Sequence, residues 1–495
     1  MGLRTRFLRT LGLQRVPRDQ PRRRRRSYAG AIVSRLTSDW MSTRASADAE
    51  IRNSLSKLRD RSREMVRNNP YAKQAKRTTQ VNVVGSGIKL QSQVQQVRGR
   101  KPSEAINRLI EEKWHLWTRA QYCDVAGRHS FHMMEWLATG ALPESGEALF
   151  RIIRRPFGGS RVPLALEMIE SDVLDEEYQG PTLAKLNEWR MGVEINEWGR
   201  PVRYAFLTRH PGDYWFQNAP QKGDKHVFLP AADVIHLFLP ERPQQHRGVP
   251  WFHSVMADAH QLQGYEEAAV IRARAGASVM GFVTSPEGEL EGDDVEADRR
   301  ISEFEPGMWK YLEPGQNVSV PNISSPDQQY EMFVKNKVRR FASGFGCSYE
   351  TLSRDFSETN YSSSRLSLLE DREHWKVIQS YLIENFHNRV FREWLDLAVL
   401  AGELPFDDYD SRPERYDTPR WMARGWDWVD PLKEAKAYRQ MEQAGYMTKA
   451  QIVAKLGGDF FDNLTEFSRE QQAAEELNVE LDRDIIDELP EEVEL

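Results

Sequence analysis

The chain has 495 residues, 40% hydrophobic and 29% charged, with a formal net charge of −6, an ordinary balance for a folded protein of about three domains. No apolar run approaches the roughly 18 residues of a membrane span, and Arg9 and Gln14 interrupt Leu8, Leu11 and Leu13 so that no signal-peptide core forms. Two cysteines, Cys123 and Cys347, exclude a disulfide framework and fit a reducing, cytoplasmic setting. The charge is polarised. Residues 1–120 hold 28 Lys and Arg against 9 Asp and Glu, a net of +19, which leaves −25 for the rest. Residues 22–26 are all arginine, and residues 470–495 hold 11 carboxylates against one base, Arg483. Such blocks mark interaction tails or solvated segments.

Residues 1–40 read as a basic mobile arm able to meet nucleic acid or an acidic partner. A first helix follows Ser46, with Ile51, Leu55, Leu58, Met65 and Val66 at helical spacing. Asn69-Pro70 ends it. A short helix is expected over 71–79, and Val81-Asn82-Val83-Val84 reads as a strand stopped by Gly85-Ser86-Gly87. Helices are expected over 103–120 and 131–142. The period then changes, and 148–153, 164–169, 193–195, 202–207 and 234–239 read as short strands, with a hairpin at Asn196-Glu197-Trp198-Gly199. This is an α+β region. A helix over 250–277 follows, then a strand at 279–284, an acidic stretch and β-prone pieces at 309–312 and 318–320. The acidic stretch carries Glu287, Glu289, Glu291, Asp293, Asp294, Glu296 and Asp298.

A helix over 328–344 has an apolar face of Tyr330, Phe333, Val334, Val338, Phe341 and Phe345, and its other face is read as basic, with Lys335, Lys337, Arg339 and Arg340. Diffuse positive charge of that kind attracts phosphates without reading sequence. Beyond the polar segment 353–361 the longest helix is expected over 364–400, roughly 50 Å at 1.5 Å per residue. Residues 430–478 read as short helices.

Enzymatic signatures are lacking. There is no P-loop and no nucleophile elbow, and Gly85-Ser86-Gly87 lacks the third glycine of a dinucleotide fingerprint. His129, His132 and Glu135 are expected on one helical face near Asp124 and Cys123, without the second ligand pair a zinc site needs. They read as satisfied or surface side chains, and Cys347 as an inert buried thiol. Asp407, Asp408, Asp410 and Asp417 lie among prolines and read as a solvated loop. A metal-dependent nuclease would have to use them.

Several blocks resemble the lambda-like portal proteins of tailed bacteriophages. They are Asn68-Asn69-Pro70-Tyr71-Ala72 with Val81-Asn82-Val83-Val84-Gly85-Ser86-Gly87-Ile88, then Glu197-Trp198-Gly199-Arg200-Pro201-Val202. Next come Val234-Ile235-His236-Leu237-Phe238 with Glu241-Arg242-Pro243 and Arg247-Gly248-Val249-Pro250-Trp251. Asp355-Phe356 with Asn360-Tyr361-Ser362-Ser363-Ser364-Arg365, and Trp428-Val429-Asp430-Pro431-Leu432-Lys433-Glu434-Ala435, complete the set. They follow the family's order over residues 60–480.

The resemblance implies an α+β, elongated portal-type subunit. Its parts would be a wing over 41–250, stem helices at 251–278 and 327–348, a clip at 279–326 between them, and a tunnel loop at 349–362. A long helix and further wing would span 363–430, and crown-like helices with an acidic tail 431–495. It implies a homo-oligomeric ring, usually of twelve, at the unique capsid vertex. Double-stranded DNA would pass without sequence specificity, and terminase, head–tail connector, capsid and scaffold proteins would be partners, with no membrane, cofactor or catalysis. Channel candidates are Lys335, Lys337, Arg339, Arg340, Arg354, Asn360 and Tyr361, and docking candidates are Glu287, Glu289, Glu291, Asp293 and Asp294. A nuclease of the packaging machinery, or a nucleic-acid-binding protein that forms no ring, stays open on the residues alone.

Overall fold

The computed structural model describes residues 35, 39, 42, 44–95, 103–213, 224–277, 282–284, 317–319, 329–357, 361–426, 431–456 and 458–477. The chain divides into two units, Met1–Ser46 and Ala47–Leu495, and the second holds every element that follows. The basic arm, Asn360 and the acidic stretch with Glu287, Glu289, Glu291, Asp293 and Asp294 lie outside the described residues.

Three helices open the second unit: α1 (Ala47–Arg52), α2 (Leu55–Asn68) and α3 (Pro70–Val83). Asn69 is the joint between the last two. Its extended backbone breaks α2, and its side chain accepts the amides of Tyr71 and Ala72 at 2.9 and 3.1 Å to start α3. Pro70 takes the first helical position, where no amide is needed.

The strand expected at 81–84 does not form; α3 runs on through Val83. Burial decides the matter. Val83 and Val84 are completely buried in the main core, and Gln379 donates to the Val83 carbonyl at 3.1 Å. β-branched residues lose only a few tenths of a kcal/mol in a helix, far less than burial returns. The strand comes after the glycine turn instead, as β1 (Lys89–Ser92).

α4 (Glu104–Trp117), a short α5 (Ala120–Cys123) and α6 (Phe131–Ser145) lead into the sheets. β2 (Glu147–Ile153) is the centre of an antiparallel three-stranded sheet, between β3 (Ala165–Ile169) and β8 (Val234–Phe238). β4 (Glu188–Arg190), β5 (Val193–Ile195), β6 (Pro201–Leu207) and β7 (His226–Pro230) form an antiparallel meander in chain order. The Asn196–Gly199 turn joins β5 to β6 as expected, with Gly199 in the left-handed region. Leu149, Leu174, Val193, Tyr204, Phe206 and Leu229 fill the space between the two sheets.

Past a 3-10 turn (Trp251–Ser254) come α7 (Met256–Ala277), the paired strands β9 (Phe282–Thr284) and β10 (Asn317–Ser319), and α8 (Gln329–Phe345). A short helix, α9 (Tyr349–Ser353), precedes the long one. That rod is α10 (Tyr361–Leu382), a π-helical turn (Ile383–His387) and α11 (Asn388–Leu400). β11 (Pro419–Met422) returns to pair with β1. α12 (Pro431–Gln443), α13 (Lys449–Lys455) and α14 (Phe460–Leu477) complete the fold. In the main core Trp114 meets Trp394 edge-on at 5.2 Å and Phe131 stacks on Phe386 at 5.2 Å, locking the long helix to α4 and α6.

Candidate functional site

α7 and α8 pack with opposite chain direction. Ser254 bonds the Gly344 carbonyl, Asp258 meets Lys337 and Arg340, and Tyr265 meets Tyr330 and Phe333, so rising numbers on one helix meet falling numbers on the other. Phe252, Leu262, Val338 and Phe341 form the apolar seam. Close approach depends on Gly344, where a Cβ would lie 2.3 Å from the Val255 side chain. The β9–β10 module is inserted between the two helices in the chain, as the element order requires.

The four cations of α8 do not form the single basic face expected. At about 100° per residue, Lys335 and Arg339 fall on one flank and Lys337 and Arg340 on another. The partners differ accordingly. Lys337 Nζ and Arg340 Nε both reach Asp258 on α7, at 2.9 and 2.8 Å. The hydrogen bond from Lys337 and the Arg340 charge hold the Asp258 carboxyl below its usual range. Lys335 and Arg339 lie over the Tyr349 ring on α9, 5.9 and 5.4 Å from its centre. One pair thus ties α7 to α8, and the other caps an aromatic ring at the start of α9.

α9 is held from the long helix. Asp371 on α10 accepts the Ser348 amide at 2.9 Å and the hydroxyls of Ser348 and Thr351 at 2.7 Å each. Ser348 also caps α9. Arg354 ends α9 in the left-handed conformation, φ 58°, and its side chain is exposed. The Gln74 side-chain oxygen accepts from Arg354 Nε and Nη2 at 2.9 and 3.0 Å. Tyr349 donates to Asp355 at 3.0 Å, and Tyr361 is the first residue of α10. The structure therefore brings Lys335, Arg339 and Arg354 to the ends of α9 and sets Lys337 and Arg340 apart.

The other sequence candidates are engaged elsewhere. His129 precedes α6 rather than sharing its face, and its amide and that of Arg128 bond Asp124 at 2.9 and 2.7 Å. Glu135 is buried and bonds His387 in the π turn at 2.6 Å, with His132 at 3.4 Å. Burial pushes the thiols of both Cys123 and Cys347 up to about 12, so neither is a thiolate at neutral pH. Asp408 holds Arg415 and Tyr416, and Asp417 holds Arg392 at 2.8 Å. These carboxylates do not converge as a nuclease site would. Glu170, Asp172 and His210 do lie together, but Arg59 and Arg63 already face Asp172, which disfavours a cation.

One cluster escapes sequence reasoning altogether. Glu147 and Arg247 are both completely buried. Arg247 reaches the Glu147 carboxylate through Nη2 at 2.6 Å and Nε at 3.0 Å, and donates to the Met191 carbonyl at 2.6 Å. His236 and the Gly248 amide complete the carboxylate shell at 2.9 Å each. Gly146, at φ +87°, admits the Gly248–Val249 backbone where any Cβ would collide. The cluster joins β2, β8 and the β4–β5 turn to the segment that enters α7. Its one sequence signal was the block Arg247-Gly248-Val249-Pro250-Trp251.

Residues 33–379 match the family model of the phage portal proteins, lambda family. The chain belongs to this family. A "Probable portal protein" of Halomonas phage phiHAP-1 is 32% identical, over 94% of this chain and 90% of its own length. Portal protein B of Escherichia phage lambda is 24% identical, over 87% and 86%. Among solved structures, the neck of a native gene transfer agent particle computed with C12 symmetry is similar, with 13% identity, a TM-score of 0.46 and coverage of 80% of this chain and 93% of that one. As a portal-family member the protein is structural rather than enzymatic, and its described fold is mixed helix and sheet. No described helix is long and apolar enough to cross a membrane.

Proposed function

We propose that copies of this chain close into a ring, of twelve subunits, at the unique capsid vertex. DNA enters and leaves the head through its channel, and terminase and then head–tail connector proteins dock on it. The observation that carries this reading is the portal-family match over residues 33–379. A ring uses two different complementary surfaces per subunit. In this reading residues 41–250 are the wing, 251–278 and 327–348 the stem, 279–326 the clip, 349–362 the tunnel loop, 363–430 the long helix with further wing, and 431–495 the crown and acidic tail.

The contacts of α8 support a narrower set of channel candidates. In this reading Lys335, Arg339 and Arg354, with Asn360 and Tyr361, are the channel candidates, whereas Lys337 and Arg340, which meet Asp258, serve the stem. Diffuse charge of this kind lets a duplex slide, because phosphate contacts carry no sequence information. The purified protein should appear by light scattering and negative-stain microscopy as a ring of about a dozen copies with a central hole. A chain that stays monomeric even with its capsid and scaffold partners overturns the reading.

The acidic clip, with Glu287, Glu289, Glu291, Asp293 and Asp294, is the docking surface for terminase, since its carboxylates repel phosphate and complement basic partners. Reversing the charges over residues 287–298 is expected to weaken terminase binding by about tenfold or more at low salt. Unchanged affinity in a pull-down titration would remove the clip from the docking role.

A further inference from the structure

Between the long helix, the strand β11 and the last helices lies an open groove of about 610 Å³. Six cations line it: Arg365, Arg372 and Lys376 on α10, Arg420 on β11, Arg424 just beyond it, and Lys455 on α13. Against them stand two carboxylates, Glu373 and Glu434, which face Lys376 and Arg365. The floor is apolar and aromatic. Arg372 lies over the Trp426 ring at 5.8 Å and Lys455 over Tyr438 at 5.4 Å, and Leu369, Met441 and Leu456 are exposed along the walls. So dense a collection of like charge on an apolar floor suits a ligand both anionic and apolar.

The chain carries such a ligand. Residues 478–495 hold eight carboxylates, at 480, 482, 484, 487, 488, 491, 492 and 494, against one base, Arg483. Apolar residues are interleaved, among them Leu481, Ile485, Ile486 and Leu489. The path is short enough. α14 packs on α13, whose Lys455 borders the groove. The 18 residues of α14 span about 27 Å, and 18 extended residues beyond it reach about 60 Å. We propose that residues 478–495 dock in this groove in the unassembled subunit. There the carboxylates meet the cations of α10, β11 and α13, and Ile485, Ile486 and Leu489 meet the apolar floor. The docked segment screens the groove from other polyanions. Docking of this segment does not require ring formation.

Two measurements on the full-length chain test it. Carbodiimide coupling joins a carboxylate directly to an amine in contact with it. Mass spectrometry of the coupled protein should find Lys376 and Lys455 linked to carboxylates between 480 and 494. Second, a full-length variant with those eight carboxylates changed to amides should bind a labelled synthetic peptide of sequence 478–495 at least about tenfold more tightly than the native chain, whose groove is filled. Raising the salt from about 0.05 to about 0.5 M should abolish that gain. Adding Arg420→Glu and Lys455→Glu to the variant should abolish it too, with circular dichroism unchanged, while Lys455→Arg keeps it. Links confined to other lysines, or equal peptide binding by native chain and variant, would overturn the proposal. So would a variant that takes up a duplex oligonucleotide but not the peptide, since the groove would then be a nucleic-acid site.

Discussion

Arg247→Met is expected to lower the stability of the sheet region by about 3–5 kcal/mol, the usual cost of removing one partner from a buried ion pair. The loss falls on Glu147, which is completely buried and would keep its charge with only His236 and the Gly248 amide beside it. The urea midpoint followed by tryptophan fluorescence reads the effect, with Trp114, Trp117 and Trp394 buried in the adjoining core. Combining Arg247→Met with Glu147→Gln should recover most of the loss, because a neutral pair leaves no unmatched charge. A single-variant cost below about 1 kcal/mol would mean the cluster does not hold the sheets to α7.

The same carboxylate sets a pH dependence. Burial alone would push Glu147 up, but the Arg247 charge and the His236 hydrogen bond outweigh it and hold the carboxyl well below the usual range. A carboxyl depressed in the folded state contributes stability that is complete above its unfolded value, about 4.3, and is lost as pH falls through the folded value. The midpoint difference between the native protein and Glu147→Gln should therefore be constant from about pH 5 to 8 and shrink in acid. A difference that grew below about pH 4 would reverse the sign and exclude this carboxylate as the cause.

What could be read from the residues beforehand was whatever is encoded locally. The helix pair α7 and α8, the long helix, the five stronger strands and the Asn196–Gly199 hairpin all follow from period and turn chemistry within a dozen residues. β1 and β11 escaped because each is four residues long and its partner lies more than 300 residues away. β4 escaped because Glu188-Trp189-Arg190 holds a single apolar side chain, and β7 because His226–Pro230 ends on a proline, which argues against a strand. Val81, Val83 and Val84 misled for the opposite reason, since β-branched side chains favour a strand but the core buries Val83 and Val84 at the end of a helix.

The candidate site was legible in composition and not in arrangement. Counting Lys335, Lys337, Arg339 and Arg340 gives a basic helix, yet their spacing separates the two pairs, and Asp258 and Tyr349 then fix different roles. Glu147 and Arg247 could not be found from composition, because isolated charges are read as exposed unless a partner is known. Their partnership spans 100 residues.

Ile271→Glu, alone or with Val270→Glu, is expected to abolish ring assembly while leaving the subunit folded. α7 turns Ala259 and Leu262 into the seam with α8, yet Val270 and Ile271 are 48% and 66% exposed further along it, and Met332 is 68% exposed on α8. Large apolar side chains left exposed on two helices that pack together suit a surface that a partner covers, and in a closed ring that partner is the next copy. Burying one such side chain is worth about 1.5–3 kcal/mol, and each subunit of a ring repeats the loss. A surface substitution shifts the isolated subunit by only about 0.5 kcal/mol. Light scattering should thus report single chains for the variant and a ring for the native protein, with matching urea midpoints. Lys337→Ala provides the contrast, since it removes a contact to Asp258 inside the subunit and should lower the midpoint without changing the face offered to a neighbour. Should Ile271→Glu still form rings, the neighbour packs against another surface, and the apolar face of α7 and α8 would be covered by a different protein.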